Sequence, residues 1–188
     1  QDEEVEKMPW YNPVLDHDLF NTLIHLDTQN KLILDIGTGP GTQAIELAKM
    51  GLNVIATDIS KTAIVKASAR AISEKVNIRF IHDDILKTRL EPEFDYIFDR
   101  GCFHVLAPEN RSDYARIIHN LLKPGGFLFL KCFSEKEPGN EGPYRFTPDQ
   151  LKETFSPYFR INSIDETIFK ANRKPLPKAL YAILHKNL

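Results

Sequence analysis

The chain has 188 residues, of which 42% are hydrophobic and 27% charged, with a formal net charge of −2. That balance belongs to a globular domain able to bury a core, and it speaks against a protein built mainly to grip phosphate backbones. Two cysteines, Cys102 and Cys132, are too few for a disulfide framework and suit a reducing, cytoplasmic compartment, while the six histidines show no metal-ligand spacing.

The chain begins Gln1-Asp2-Glu3-Glu4, without Met and without the basic and apolar stretches of a secretory signal. This suggests a trimmed start, and no run approaches the roughly 18 apolar residues of a membrane span. An aromatic entry, Pro9-Trp10-Tyr11, leads into Leu15, Leu19, Leu23, Ile24 and Leu26, whose spacing predicts a helix over 14–27. The apolar run Lys31–Asp35 stops at a glycine cluster, as a buried parallel strand does. A helix over 42–50 follows, closed by Gly51. Asn53–Thr57 predicts a second strand, and Ser60 caps a helix over 61–75. Ile78–His82 and Phe94–Asp99 predict the third and fourth strands. A helix over 109–122 ends at Lys123-Pro124-Gly125-Gly126, and Phe127–Phe133 is a fifth, strongly apolar strand. Such alternation predicts an α/β fold with a doubly wound, mostly parallel sheet.

After the loop Glu135–Pro143, Thr147-Pro148-Asp149-Gln150 carries a capping box with proline in the first turn. Strand-like runs over 159–168 and 179–185, joined by Lys170–Lys178, predict an antiparallel hairpin at the sheet edge. The chain therefore reads as one domain over 1–188. It has an N-terminal lid or helix segment over 1–29, a ligand-binding core over 30–135, and a C-terminal helix and hairpin over 136–188.

Gly37, Gly39 and Gly41 stand between the first strand and the next helix, where chain without Cβ atoms can turn tightly and approach a ligand. A dinucleotide turn requires glycine or alanine where Thr42 stands, and no Gly-Lys-Ser/Thr of a P-loop follows. Asp35, two residues before Gly37, is awkward beside a pyrophosphate but suits the cationic ammonium and sulfonium end of S-adenosyl-L-methionine. Asp58, 21 residues after Gly37, stands where an acidic residue accepts bonds from ribose hydroxyls. At the end of the third strand Asp84 is placed for the adenine amino group, with Ile85 packing on the ring.

The pieces Leu34–Gly41, Ala56-Thr57-Asp58, His82-Asp83-Asp84, Phe94–Asp99 and Leu122–Gly126 occur in that order. Together they resemble the class I S-adenosylmethionine-dependent methyltransferase superfamily. The resemblance implies a Rossmann-like seven-stranded sheet with an antiparallel last strand and helices on both faces. It also implies S-adenosyl-L-methionine as cofactor, with Asp35, Gly37, Gly39, Asp58 and Asp84 as contacts, and Thr38, Gly41, Ile59, Ile85 and Asp99 complete the expected cofactor-binding set. A narrower likeness, carried by Asp99-Arg100-Gly101 and Gly142-Pro143-Tyr144, is to thiopurine S-methyltransferases and their thiol, halide and tellurite relatives. It implies Arg100 and Arg173 at the acceptor pocket.

Methyl transfer is an in-line displacement that mainly requires alignment, so no triad or metal cluster is expected. Arg100 is the candidate to lower a thiol pKa or bind an acceptor carboxylate, and His104 the candidate base for an oxygen or nitrogen acceptor. The expected partner is a small-molecule methyl acceptor, with no nucleic acid or membrane, and the protein acts as a monomer or homodimer. Competing readings are methylation of RNA or protein, and a non-catalytic module that binds a nucleoside. The base-methylation signature Asn-Pro-Pro-Tyr is replaced here by Asp99-Arg100-Gly101-Cys102, which counts against nucleic-acid bases.

Overall fold

A computed structural model describes residues 11–91, 93–139 and 141–187, so Pro9 and Trp10 of the aromatic entry lie outside the described residues. The five predicted parallel strands form as β1 (Leu32–Ile36), β2 (Asn53–Asp58), β3 (Arg79–His82), β4 (Phe94–Arg100) and β5 (Leu122–Ser134). Along them successive side chains serve opposite faces. Ile33, Val54, Ala56, Tyr96, Phe98 and Phe129 pack on one side with α1 (His17–Leu23) and α2 (Thr42–Lys49). Leu34, Ile36, Ile55, Ile97, Leu128 and Leu130 pack on the other with α4 (Arg111–Leu121) and α5 (Pro148–Phe155). Both faces are covered, which is why these strands read as unbroken apolar runs. Between β2 and β3 runs α3 (Lys61–Ser73), its start fixed by Ser60, whose hydroxyl accepts from the Ala63 amide. The capping box at Thr147 and Gln150 forms in both directions.

The sheet order is β3-β2-β1-β4-β5-β8-β7, with β7 (Arg160–Ile168) and β8 (Lys178–His185) antiparallel to one another. The last strand, β8, runs antiparallel to β5, as expected. It lies inside, between β5 and β7, because Ala179–Leu184 is almost wholly buried while β7 carries Arg160, Asn162, Ser163, Asp165, Glu166 and Thr167 and can face water at the edge. A two-residue strand, β6 (Arg145–Phe146), adds beside β5 and was not evident in the sequence. The first helix is shorter than the 14–27 expected, because Asp16 caps it by accepting from the Asp18 amide. No helix among the described residues is long and apolar enough to cross a membrane.

The strand order reverses between β1 and β4, and a crevice opens at the C-terminal ends of these two strands. Open α/β sheets bind ligands there.

Candidate active site

At the end of β1 the chain turns through Gly37, Gly39 and Gly41 with φ of 65°, 53° and 77°, in the left-handed region. A Cβ at Gly41 would stand 2.9 Å from that of Ala67, so the loop depends on α3 as well as on backbone conformation. Gly41→Ala is expected to cost about 2 kcal/mol or more in a denaturant unfolding titration. A loss below about 0.5 kcal/mol, the level of an ordinary surface change, would mean that the loop relaxes freely.

Asp35 forms the floor of the turn, 2% exposed, and accepts from the Thr38 hydroxyl at 2.6 Å. Burial raises its pKa to about 7, with the negative charges of Asp99 and Asp58 adding and the Thr38 bond opposing. It forms no ion pair among the described residues. A buried carboxylate in that position favours a cationic guest. Asp58 fastens the loop to β2: its two oxygens accept from the amides of Gly39 and Ser60, each at 2.8 Å. Each carboxylate oxygen retains a second lone pair for a hydroxyl donor. Ile59 beside it is 70% exposed.

Asp84 caps the short turn Ile85–Lys87 by accepting from the Leu86 amide at 3.1 Å. The Ile85 side chain belongs to the core cluster and is only 6% exposed, so its packing is against the protein interior rather than spread for an adenine ring. Asp99 likewise departs from its expected role as a cofactor contact. It is completely buried and accepts from the Cys102 amide (2.7 Å), the Phe103 amide (2.9 Å) and the Tyr114 hydroxyl (2.5 Å). Its carboxylate shapes the loop after β4 and leaves no surface for a ligand. Burial raises its pKa to about 6.

From the glycine loop a cavity of about 910 Å³ continues past Arg100 and His104 to the loops around Glu137 and Arg173. Arg100 faces it while donating from Nε to Asp16 (3.0 Å) and from Nη2 to the Lys170 carbonyl (2.7 Å), with its guanidinium over the Phe169 ring. Arg173 pairs with Glu137, which also accepts from the Lys178 amide at 2.7 Å, and so joins the two loops that wall the cavity. Arg145 holds the first of these loops from within, donating to the carbonyls of Glu137, Pro138, Glu141 and Pro143.

His104 is 7% exposed, and its Nδ1 accepts from the Phe133 amide at 3.2 Å. Burial and then the Arg100 charge lower its pKa to about 4. At neutral pH the ring is therefore uncharged and carries its proton on Nε2, since Nδ1 is an acceptor. It can donate a hydrogen bond there, and its free base position is already used.

One buried charged group beside the cavity's Arg100 was not singled out in the sequence. Lys131, 1% exposed, lies between Asp16 (2.9 Å to each oxygen) and Asp18 (2.6 Å). Arg100 and Lys131 are register partners on β4 and β5, two cations side by side that need Asp16 between them. The available signal was a lone lysine within the otherwise apolar run Phe127–Phe133.

A crevice at the strand ends, a glycine turn over a buried carboxylate and a second carboxylate on the neighbouring strand define a nucleoside-cofactor domain. Residues 33–126 match the family model described as a methyltransferase domain. An uncharacterised methyltransferase of Schizosaccharomyces pombe is 32% identical over 65% of this chain and 83% of its own length. The chain belongs to this methyltransferase family, whose methyl donor is S-adenosyl-L-methionine. A probable thiol methyltransferase of Arabidopsis thaliana is 29% identical over 76% of this chain and 65% of its own. An EEF1A lysine methyltransferase of Danio rerio is 30% identical over 71% and 57%. In fold, a SAM-dependent methyltransferase from Methanosarcina mazei superposes with a TM-score of 0.80 at 21% identity, covering 93% of this chain and 99% of that one.

Proposed function

We propose that the enzyme methylates a small, soft nucleophile that reaches the site already ionised, such as a thiolate. The observation that carries this reading is the acceptor end of the cavity, where Arg100 supplies a fixed cation and His104 offers no free base. S-adenosyl-L-methionine, when bound, supplies a methyl group on a positively charged sulfur. Asp35 would hold its cationic amino-acid end, and Asp58 its ribose hydroxyls. Asp84 and the exposed Ile59 would flank the adenine, and Gly37, Thr38, Gly39 and Gly41 would bring backbone against the chain of the ligand. The residues around the acceptor then have two tasks. Arg100 lowers the proton affinity of the incoming nucleophile and orients it. His104, through Nε2–H, donates to the acceptor instead of taking its proton. Oxygen or nitrogen acceptors with high pKa lose that help, which is what selects against them.

A small acceptor is supported by the two loops joined through Arg173 and Glu137, which line the cavity together. The thiol methyltransferase among the relatives favours the same class, whereas the lysine methyltransferase among them represents the alternative, a protein acceptor. Product formation across a panel of thiols, thiocyanate, phenols and amines tests the reading. Thiols and thiocyanate should dominate, and Arg100→Ala should lower kcat/KM by about tenfold to a hundredfold, the range of a lost charge-assisted bond. Preferential turnover of amines, with a pH limb that disappears in His104→Phe, would refute it.

A further inference from the structure

Residues 11–16 lie across the first turn of α2 and are tied down at both ends. The Tyr11 hydroxyl accepts from Arg70 Nη2 at 3.1 Å, and Arg70 Nη1 donates to the Thr42 hydroxyl at 2.9 Å. Gln43 accepts from the Asp16 amide at 2.7 Å and donates to the Val14 carbonyl at 2.9 Å, so its side chain is used at both ends. Between these anchors sits Asn12, 6% exposed, on the wall of the cavity beside the glycine turn. Its Nδ2 is buried and finds no acceptor among the described residues. A buried amide donor without a partner costs free energy that a bound acceptor would return.

We infer that Asn12 donates to the α-carboxylate of the bound cofactor's amino-acid tail. That tail is a zwitterion, and the two halves of the site have opposite polarity. Asp35 is a buried carboxylate with no cation of its own and suits the ammonium. The corner formed by Asn12 and the first turn of α2 offers donors: the Asn12 amide and the positive end of the helix, whose Ala44 amide already bonds to Asp35, with the Arg70 guanidinium close behind Thr42. The segment before α1 is then a strap that both covers and reads the tail, and Asn12 supplies the reading.

Calorimetry with two ligands separates this role from a merely structural one. S-adenosylhomocysteine carries the amino-acid tail, whereas methylthioadenosine lacks it and keeps the nucleoside. Asn12→Ala should bind S-adenosylhomocysteine about tenfold more weakly, and the isosteric Asn12→Asp more weakly still, because two carboxylates would then meet. Methylthioadenosine should bind all three proteins within about twofold, as expected when only a local contact is removed. An equal loss for both ligands would show that Asn12 only supports the strap and would overturn the inference. Unchanged affinity for S-adenosylhomocysteine in both variants would overturn it as well.

Discussion

Asp16→Ala is expected to destabilise the protein by about 3–5 kcal/mol, the usual cost of removing one partner from a buried ion pair. Asp16 is completely buried and touches both Lys131 and Arg100. Without it two cations remain opposite one another on β4 and β5, with Asp18 alone to balance them. The loss should appear in a urea titration as a lower midpoint. The double variant Asp16→Ala, Lys131→Met should recover much of it, since the stranded charge goes with its partner. A single-variant loss below about 1 kcal/mol, in the range of an exposed pair, would mean that the N-terminal segment is not docked on the sheet. Arg100 also depends on Asp16 for its orientation, so the single variant should lose activity before it unfolds. Fold stability and the orientation of Arg100 thus share one carboxylate.

The second large effect concerns Asp35. Its pKa in the folded protein, raised to about 7 by burial and by Asp99 and Asp58, lies above its ordinary value of 3.8. The stabilisation it contributes in the neutral form is complete below that ordinary value and is lost as pH rises through about 7. The ligand-free protein should accordingly be less stable at pH 8 than at pH 6 on this account, and Asp35→Asn should remove that slope. Ligand binding should respond in the opposite sense. A cationic amino-acid end prefers the ionised carboxylate, so affinity for S-adenosylhomocysteine should rise about tenfold from pH 6 to pH 8 and binding should release protons. Calorimetry in buffers of different ionisation enthalpy measures both. Asp35→Asn should bind about tenfold to a hundredfold more weakly, with a flat pH profile. A wild-type affinity that is itself flat over this range would show that Asp35 does not meet the cation.

Both effects arise from charges that the fold holds out of water, and they differ in how far they were visible beforehand. Asp35 stood out because the strand, the glycines and Thr38 all lie within a few residues of it, whereas the charges of Asp99 and Asp58 that raise its pKa reach it only through the fold. Asp58 was singled out by its place at the end of β2, yet its bond to the Gly39 amide was not foreseen, because it depends on how closely two parallel strands lie. Asp99 was misread for a different reason. Position at a strand end predicted a ligand contact, whereas the loop after it folds back and uses the carboxylate through Cys102, Phe103 and Tyr114. His104 was singled out as a candidate base, whereas the Phe133 amide on another strand takes the nitrogen a base would need.

What the sequence by itself determined is the order of strands and helices, the glycine turn and the acidic residues around it. Periodicity, left-handed glycine positions and helix caps are local, so a short window of residues suffices to state them. The tertiary structure alone decided that β8 lies inside the sheet and that Asp16 is shared between Arg100 and Lys131, 84 and 115 residues away. It alone left the Asn12 amide without a partner among the described residues, beside the glycine turn. Those features depend on bringing distant segments together, and a buried charge or donor takes its meaning from whichever group the fold sets within about 3 Å of it.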